Sequence, residues 1–262
     1  MNLEREGALA RTHSAETESQ GCHVAKNRSP RCPLRAHGNK VYVMEAGKLA
    51  QMIDHTLLAP EATLADVVRL CVEAVEFQVG AICISPSLLP LAKDALPPSI
   101  NIAAVVGFPS GAHSTETKAA EAKQACDNGA NEIDMVVNLA YVGTSNWPAV
   151  TTEVAAVRAA IASDVILKVI IESALWNDEQ IAGVCTAAVL GGANFVKTST
   201  GFHKAGGASL AAVRLMRKTV GEKIGVKASG GIRTYADAIA MIEAGASRIG
   251  ASASRAILAE AQ

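Results

Sequence analysis

From about residue 48 the chain alternates short β-like runs with helical patterns, and no other feature of it narrows the fold as far. The runs are 52–58 (MIDHTLL), 81–85 (AICIS), 101–108 (NIAAVVGF), 131–138 (NEIDMVVN), 165–172 (VILKVIIE), 194–200 (NFVKTST), 224–229 (IGVKAS) and 247–251 (SRIGA). Helical patterns lie near 63–77, 115–128, 147–162, 177–190, 209–220 and 234–244, with a last one from about 253. Thr63 with Asp66 three residues on reads as a capping pair. Gly-Ala recurs where a helix gives way to a strand, at 80–81, 129–130, 192–193 and 245–246, and glycine suits the left-handed residue that ends a helix. Strands alternating with helices imply parallel βαβ units. Eight of them within about 215 residues favour a closed (β/α)8 TIM barrel in one domain, 46–262. The alternative is an open doubly wound sheet, but no GxGxxG follows the first strand.

Residues 1–45 are polar, aperiodic and contain NRSPRCPLRAHGNK; they read as a disordered extension. GALA is too short for a signal-peptide core, and Glu4, Glu6, Glu16 and Glu18 oppose a transit peptide. Cys22, His23, Cys32 and His37 match no standard zinc spacing. Translation beginning at Met44, just ahead of the organised sequence, is a further expectation.

The six cysteines are scattered without CxxC spacing, which fits reduced thiols and a cytoplasmic protein. A net charge of −1 gives no basic field for nucleic acid, and 3% aromatic residues offer no stacking platform. No apolar run approaches the roughly 18 residues that span a bilayer.

Side chains alternate across a strand, so each run divides into two faces. Ile133, Met135 and Val137, Val169 and Ile171, Val196, and Ile224, Val226 and Ala228 form apolar faces suited to covering helices. The opposite faces carry Asp134, Lys168, Glu172, Lys197 and Lys227, which would converge inside the barrel, mostly toward the strand ends where active sites of such barrels lie. A buried salt-bridge network is the structural alternative. Such networks stabilise poorly, and three lysines against two acids fit chemistry better.

A lysine amine is a nucleophile only when neutral, and with a reference pKa of about 10.4 it is almost wholly protonated at neutral pH. Desolvation and a second cation both favour the neutral form. Lys227, one strand along from Lys197, can supply that second charge, and Asp134 can relay protons. This constellation suits Schiff-base chemistry on a carbonyl compound. The loops ASGGIRT (228–234) and IGASAS (249–254), after the seventh and eighth strands, suit a phosphate group. Cys83, Trp147 and Trp176 read as packing residues, and His55 and His113 as polar rim residues.

EIDMVVN, LKVIIE, FVKTSTGF, VKASGGIRT and RIGAS, with IDHTLL and AICISP ahead of them, resemble the deoxyribose-phosphate aldolase (DeoC) family of class I aldolases over about residues 48–260. The resemblance implies reversible cleavage of 2-deoxy-D-ribose 5-phosphate to acetaldehyde and D-glyceraldehyde 3-phosphate, in deoxyribose phosphate catabolism, with no metal and no cofactor. It implies that Lys197 forms the Schiff base, Lys227 perturbs it and Asp134 transfers protons, while Lys168 and Glu172 complete the polar interior. Thr200, Gly201, Gly230, Gly231, Gly250 and Ser252 would surround the phosphate. A sugar phosphate is the expected small-molecule partner, and a homodimer the expected assembly. Three departures stand out: Phe202 where many members have lysine, Ala253 where some have a second serine, and a final AEAQ where some carry a terminal tyrosine. The other classes to weigh are a related lysine-barrel transferase or thiolase and a catalytically silent sugar-phosphate binder.

Overall fold

The structure is a computed structural model that describes residues 44–261. The expected disorder of the extension and its Cys/His group lie outside the described residues. The strands are β1 (Ile53–Leu57), β2 (Ala81–Ile84), β3 (Asn101–Val106), β4 (Glu132–Val136), β5 (Ile166–Ile170), β6 (Phe195–Lys197), β7 (Gly225–Ser229) and β8 (Arg248–Ala251). Each pairs in parallel with the next, and β8 pairs with β1, so the sheet closes into the expected (β/α)8 barrel. The helices are α1 (Ala46–Gln51), α2 (Leu64–Phe77), α3 (Thr115–Asp127), α4 (Leu139–Gly143), α5 (Trp147–Ala160), α6 (Asp178–Leu190), α7 (Leu210–Val220), α8 (Tyr235–Glu243) and α9 (Ser254–Ala259). Among the described residues no helix is long and apolar enough to cross a membrane.

Alternation along the strands sorts the side chains as the sequence requires. Ile133, Met135, Val169, Ile171, Val196, Val226 and Ala228 are buried against the helices in one continuous core. A separate small cluster of Cys83, Ala103 and Val105, with Leu58 and Phe108 packed on it, lies on the opposite face of β2 and β3. The capping pair forms: the Thr63 side chain accepts from the Asp66 N–H while Asp66 accepts from the Thr63 N–H at 2.8 Å. Trp147 packs over Gly183, and the Trp176 indole N–H donates to the Ile171 carbonyl at 2.7 Å, so both tryptophans serve packing.

Local expectations change in four places. Of the four Gly-Ala glycines, Gly129, Gly192 and Gly245 take positive φ. At the first, Gln78 is the left-handed residue instead, and Gly80 is required because a Cβ there would lie 2.2 Å from the Gln51 carbonyl oxygen. β6 stops at Lys197, although the Thr198 N–H still donates to the Lys227 carbonyl at 3.0 Å and the Thr198 carbonyl accepts from the Ser173 N–H at 2.8 Å. The 147–162 pattern is preceded by α4, a separate short helix capped by Asn138. His55 is not a rim residue: it is buried on the outer face of β1, with Nδ1 2.9 Å from Ser254 Oγ and Nε2 3.0 Å from Glu73 Oε2, tying β1 to α9 and α2. His113 is exposed as expected.

Candidate active site

β4, β5, β6 and β7 each turn one charged side chain of the expected set into the barrel: Asp134, Lys168, Lys197 and Lys227. The register sets Asp134 beside Lys168 and Lys197 beside Lys227, so alternation on each strand becomes adjacency between strands. Asp134 is the hub. Its Oδ1 accepts from Lys168 Nζ at 2.6 Å, and its Oδ2 accepts from both Lys197 Nζ and Lys227 Nζ at 2.7 Å.

Three further charged residues complete this interior, and none of them belongs to the expected site set. Asp54 on β1 accepts from Lys227 and, at 2.7 Å, from Arg248 Nε; it lies 3.6 Å from Lys168. Glu132 on β4 lies 2.5 Å from Lys168 and 3.2 Å from Arg248. The signal for them was present: Asp54 shares its strand face with Thr56, Arg248 with Gly250, and Glu132 with Asp134. The network thus joins three carboxylates (Asp54, Glu132, Asp134) to four cations (Lys168, Lys197, Lys227, Arg248). It holds one cation more than it holds carboxylates.

Each proton is held differently. For Lys197, burial is the largest influence and disfavours the charge; Asp134 opposes it, Lys227 reinforces it, and the amine falls below the ordinary lysine value. Burial also acts against the Lys227 proton, but Asp134 and Asp54 outweigh it and raise that amine well above its usual range. Lys168 is raised too, with Asp134, Asp54 and Glu132 overcoming its burial. Burial would raise the Asp134 carboxyl, yet three lysines hold it well below the usual carboxylate value. Asp54 is likewise lowered, by Lys227, Lys168 and Arg248 against burial. Lys197 is therefore the one lysine of the network shifted toward its neutral form.

Glu172 does not join the lysines. It follows β5 with a left-handed backbone, φ 53°, and its carboxylate accepts from the Thr200 hydroxyl at 2.6 Å and the Thr200 N–H at 3.3 Å. Its part is to hold the segment that carries Thr200. That segment is also tied to β7: the Thr198 hydroxyl donates to the Ser229 carbonyl at 3.1 Å, and the Ser229 hydroxyl donates to the Ser199 carbonyl at 2.7 Å. Gly207 and Gly230 allow the loops after β6 and β7 to meet backbone to backbone, since a Cβ on Gly207 would sit 2.1 Å from the Gly230 carbonyl oxygen.

Above the network opens a cavity of about 540 Å³. Lys197 lines it together with Thr200, Gly201, Gly230, Gly231, Gly250 and Ser252, so all six residues expected around a phosphate share one space with the amine. Arg233 and Glu61 are its other ionisable lining residues, and the sequence reading weighed neither. The expected short helix beyond β8 is the six-residue α9, headed by Ala253 without a side-chain cap. The arrangement can form and protect a covalent adduct between a neutral amine and a carbonyl carbon, with an anionic group seated on glycine-rich backbone.

Comparison with known proteins places these features among relatives. Residues 48–260 match the family model described as DeoC/LacD family aldolase. The chain is 54% identical over 211 residues to the deoxyribose-phosphate aldolase of Kocuria rhizophila, covering 80% of this chain and 95% of that one. It is 53% identical over 212 residues to the deoxyribose-phosphate aldolase of Corynebacterium diphtheriae, covering 81% and 96%. Among solved structures, the tetrameric deoxyribose phosphate aldolase of Aeropyrum pernix superposes with a TM-score of 0.73 at 32% identity, covering 82% of this chain and 91% of that one.

Proposed function

The chain belongs to the DeoC/LacD family of aldolases, and on that premise we propose that it cleaves 2-deoxy-D-ribose 5-phosphate reversibly to acetaldehyde and D-glyceraldehyde 3-phosphate through a Schiff base on Lys197. The observation that carries this reading is the one lysine of the interior network with a disfavoured proton, lining a cavity walled by glycine-rich loops.

The neutral Lys197 amine adds to the C1 aldehyde, and the carbinolamine loses water to give an iminium. The C3 hydroxyl then gives up its proton, and the electrons of the C2–C3 bond flow into the iminium. Glyceraldehyde 3-phosphate leaves and an enamine remains on Lys197. Protonation of that enamine at C2 and hydrolysis release acetaldehyde and restore the amine. The iminium is the electron sink, so the step asks for no Lewis acid. Asp134, whose Oδ2 accepts from both Lys197 and Lys227 at 2.7 Å, and Lys227 are the proposed proton carriers, with water between them and the substrate. Lys168, with Lys197 and Lys227, holds Asp134 ionised, while Asp54, Glu132 and Arg248 fix Lys168 and Lys227 around it. Backbone N–H groups about Gly201, Gly230, Gly231, Gly250 and Ser252, with Thr200, are the proposed seat of the phosphate. On this reading the protein acts in deoxyribose phosphate catabolism.

The test follows glyceraldehyde 3-phosphate release from 2-deoxy-D-ribose 5-phosphate after exhaustive EDTA treatment. Full turnover is expected. Loss of turnover that added divalent metal restores would contradict the proposed electron sink.

A further inference from the structure

Six large hydrophobic side chains are markedly exposed among the described residues, and only Phe202, at 48%, is aromatic and lines the cavity. The ring is nonetheless fixed from two directions. Its backbone N–H donates to Thr200 Oγ1 at 3.1 Å, and Thr200 is itself held by Glu172 at the end of β5. Its ring meets Phe108, just beyond β3, edge to face at 5.3 Å between centroids and 85° between planes. Strands three and six lie nearly opposite each other in the barrel, so this aromatic pair spans the barrel mouth.

The lining of the cavity shows what the span does. Every lining residue comes from the ends of β1, β6, β7 and β8 and the loops after them; none comes from between Glu61 and Lys197. On that side Phe202 is a wall of the cavity, and behind it stands Phe108, packed on the Cys83, Ala103 and Val105 cluster with Leu58. Phe202 also borders a particular end of the space. It follows Gly201, which stands opposite Gly230 with 3.8 Å from a Cβ there to the Gly230 Cα, so it belongs to the loop that meets the glycine-rich turn after β7.

We infer that Phe202, braced by Phe108, sets the size limit for the half of the substrate remote from Lys197: the aldehyde released in cleavage and taken up in addition. This rests on the aldolase reading above. An apolar wall fixed by a second ring and a hydrogen-bonded backbone cannot give way to a bulkier chain without losing both contacts. It makes no charge contact with a phosphate, so its selectivity is by shape.

The test runs the reaction in the direction of addition, with acetaldehyde as the constant donor and two acceptors, glyceraldehyde 3-phosphate and the bulky cyclohexanecarbaldehyde. Phe202→Ala is expected to raise the ratio of kcat/KM for the bulky acceptor over the phosphate acceptor by about tenfold or more, the discrimination that a small change in an apolar wall commands. Phe108→Ala should move the ratio in the same direction, because it removes the brace and not the wall. Phe202→Leu should give a smaller rise, and it carries the test if the alanine variant does not fold. The ratio of acetaldehyde to propanal as donors, read at Lys197, should stay within about twofold, because a wall remote from the amine does not touch the donor pocket. An unmoved acceptor ratio in folded variants, or a donor ratio that rises in step with it, would overturn the inference while leaving the aldolase reading intact. Absence of wild-type addition to glyceraldehyde 3-phosphate would instead sink that reading, and this inference with it.

Discussion

Lys197 and Lys227 reach the same oxygen of Asp134 at the same 2.7 Å, yet their protons are held in opposite senses. The difference is Asp54, which pairs with Lys227 and not with Lys197. Lys227 is thereby a fixed cation, and its charge is one of the influences that hold the Lys197 amine below its ordinary value. Replacing Lys227 with leucine removes that repulsion and leaves Asp134 Oδ2 to Lys197 alone. Both changes favour the Lys197 proton. Since activity needs the neutral amine, the acidic limb of the kcat/KM profile should move to higher pH, and turnover at neutral pH should fall by about a hundredfold or more. A profile whose acidic limb stays in place would contradict the pairing. Strand alternation made Asp134, Lys168, Lys197 and Lys227 legible as one inward set. Asp54 and Arg248 escaped because each lies in a short run read for its strand character, and their meaning depends on partners 173 and 194 positions away.

Elements were legible wherever a full hydrophobic period or a cap marked them. α2 declares itself by Thr63 and Asp66, whereas α1 and α4, six and five residues long, are too short to show a period. A second buried pair was also hidden. Lys118 on α3 reads as an ordinary solvated helix lysine, but it is fully buried and bonds Glu153 of α5 at 2.7 Å. The other Glu153 oxygen accepts from the Asn138 N–H at 2.9 Å, just beyond the strand that carries Asp134. Two outer helices are thus locked to the functional end of β4. Breaking such a pair strands a buried charge, so Lys118→Met should cost about 3–5 kcal/mol in chemical denaturation. Adding Glu153→Leu should recover most of that loss, short of about 1–3 kcal/mol for the Asn138 N–H left unpaired. A Lys118→Met variant as stable as the parent would show that the pair carries no such weight.

At the scale of the whole molecule, closure of the barrel turns separate sequence motifs into one site. No two of the charged residues in the network lie closer in sequence than Glu132 and Asp134, and only β8 returning to β1 brings Arg248 to Asp54. The eight-strand count carried the fold, because parallel strands of that number with helices between them close on themselves. What could not be read was the balance of charge inside, three carboxylates against four cations, because it depends on which side chains reach the axis. That balance is the physical basis of the central claim, that Lys197 is the amine that bonds the substrate. Borohydride reduction in the presence of acetaldehyde, read by peptide mass spectrometry, tests it most directly. An ethyl adduct on the Lys197 peptide, absent in Lys197→Leu, is the predicted result; an adduct on Lys168 or Lys227 instead, or none on any lysine, would contradict it.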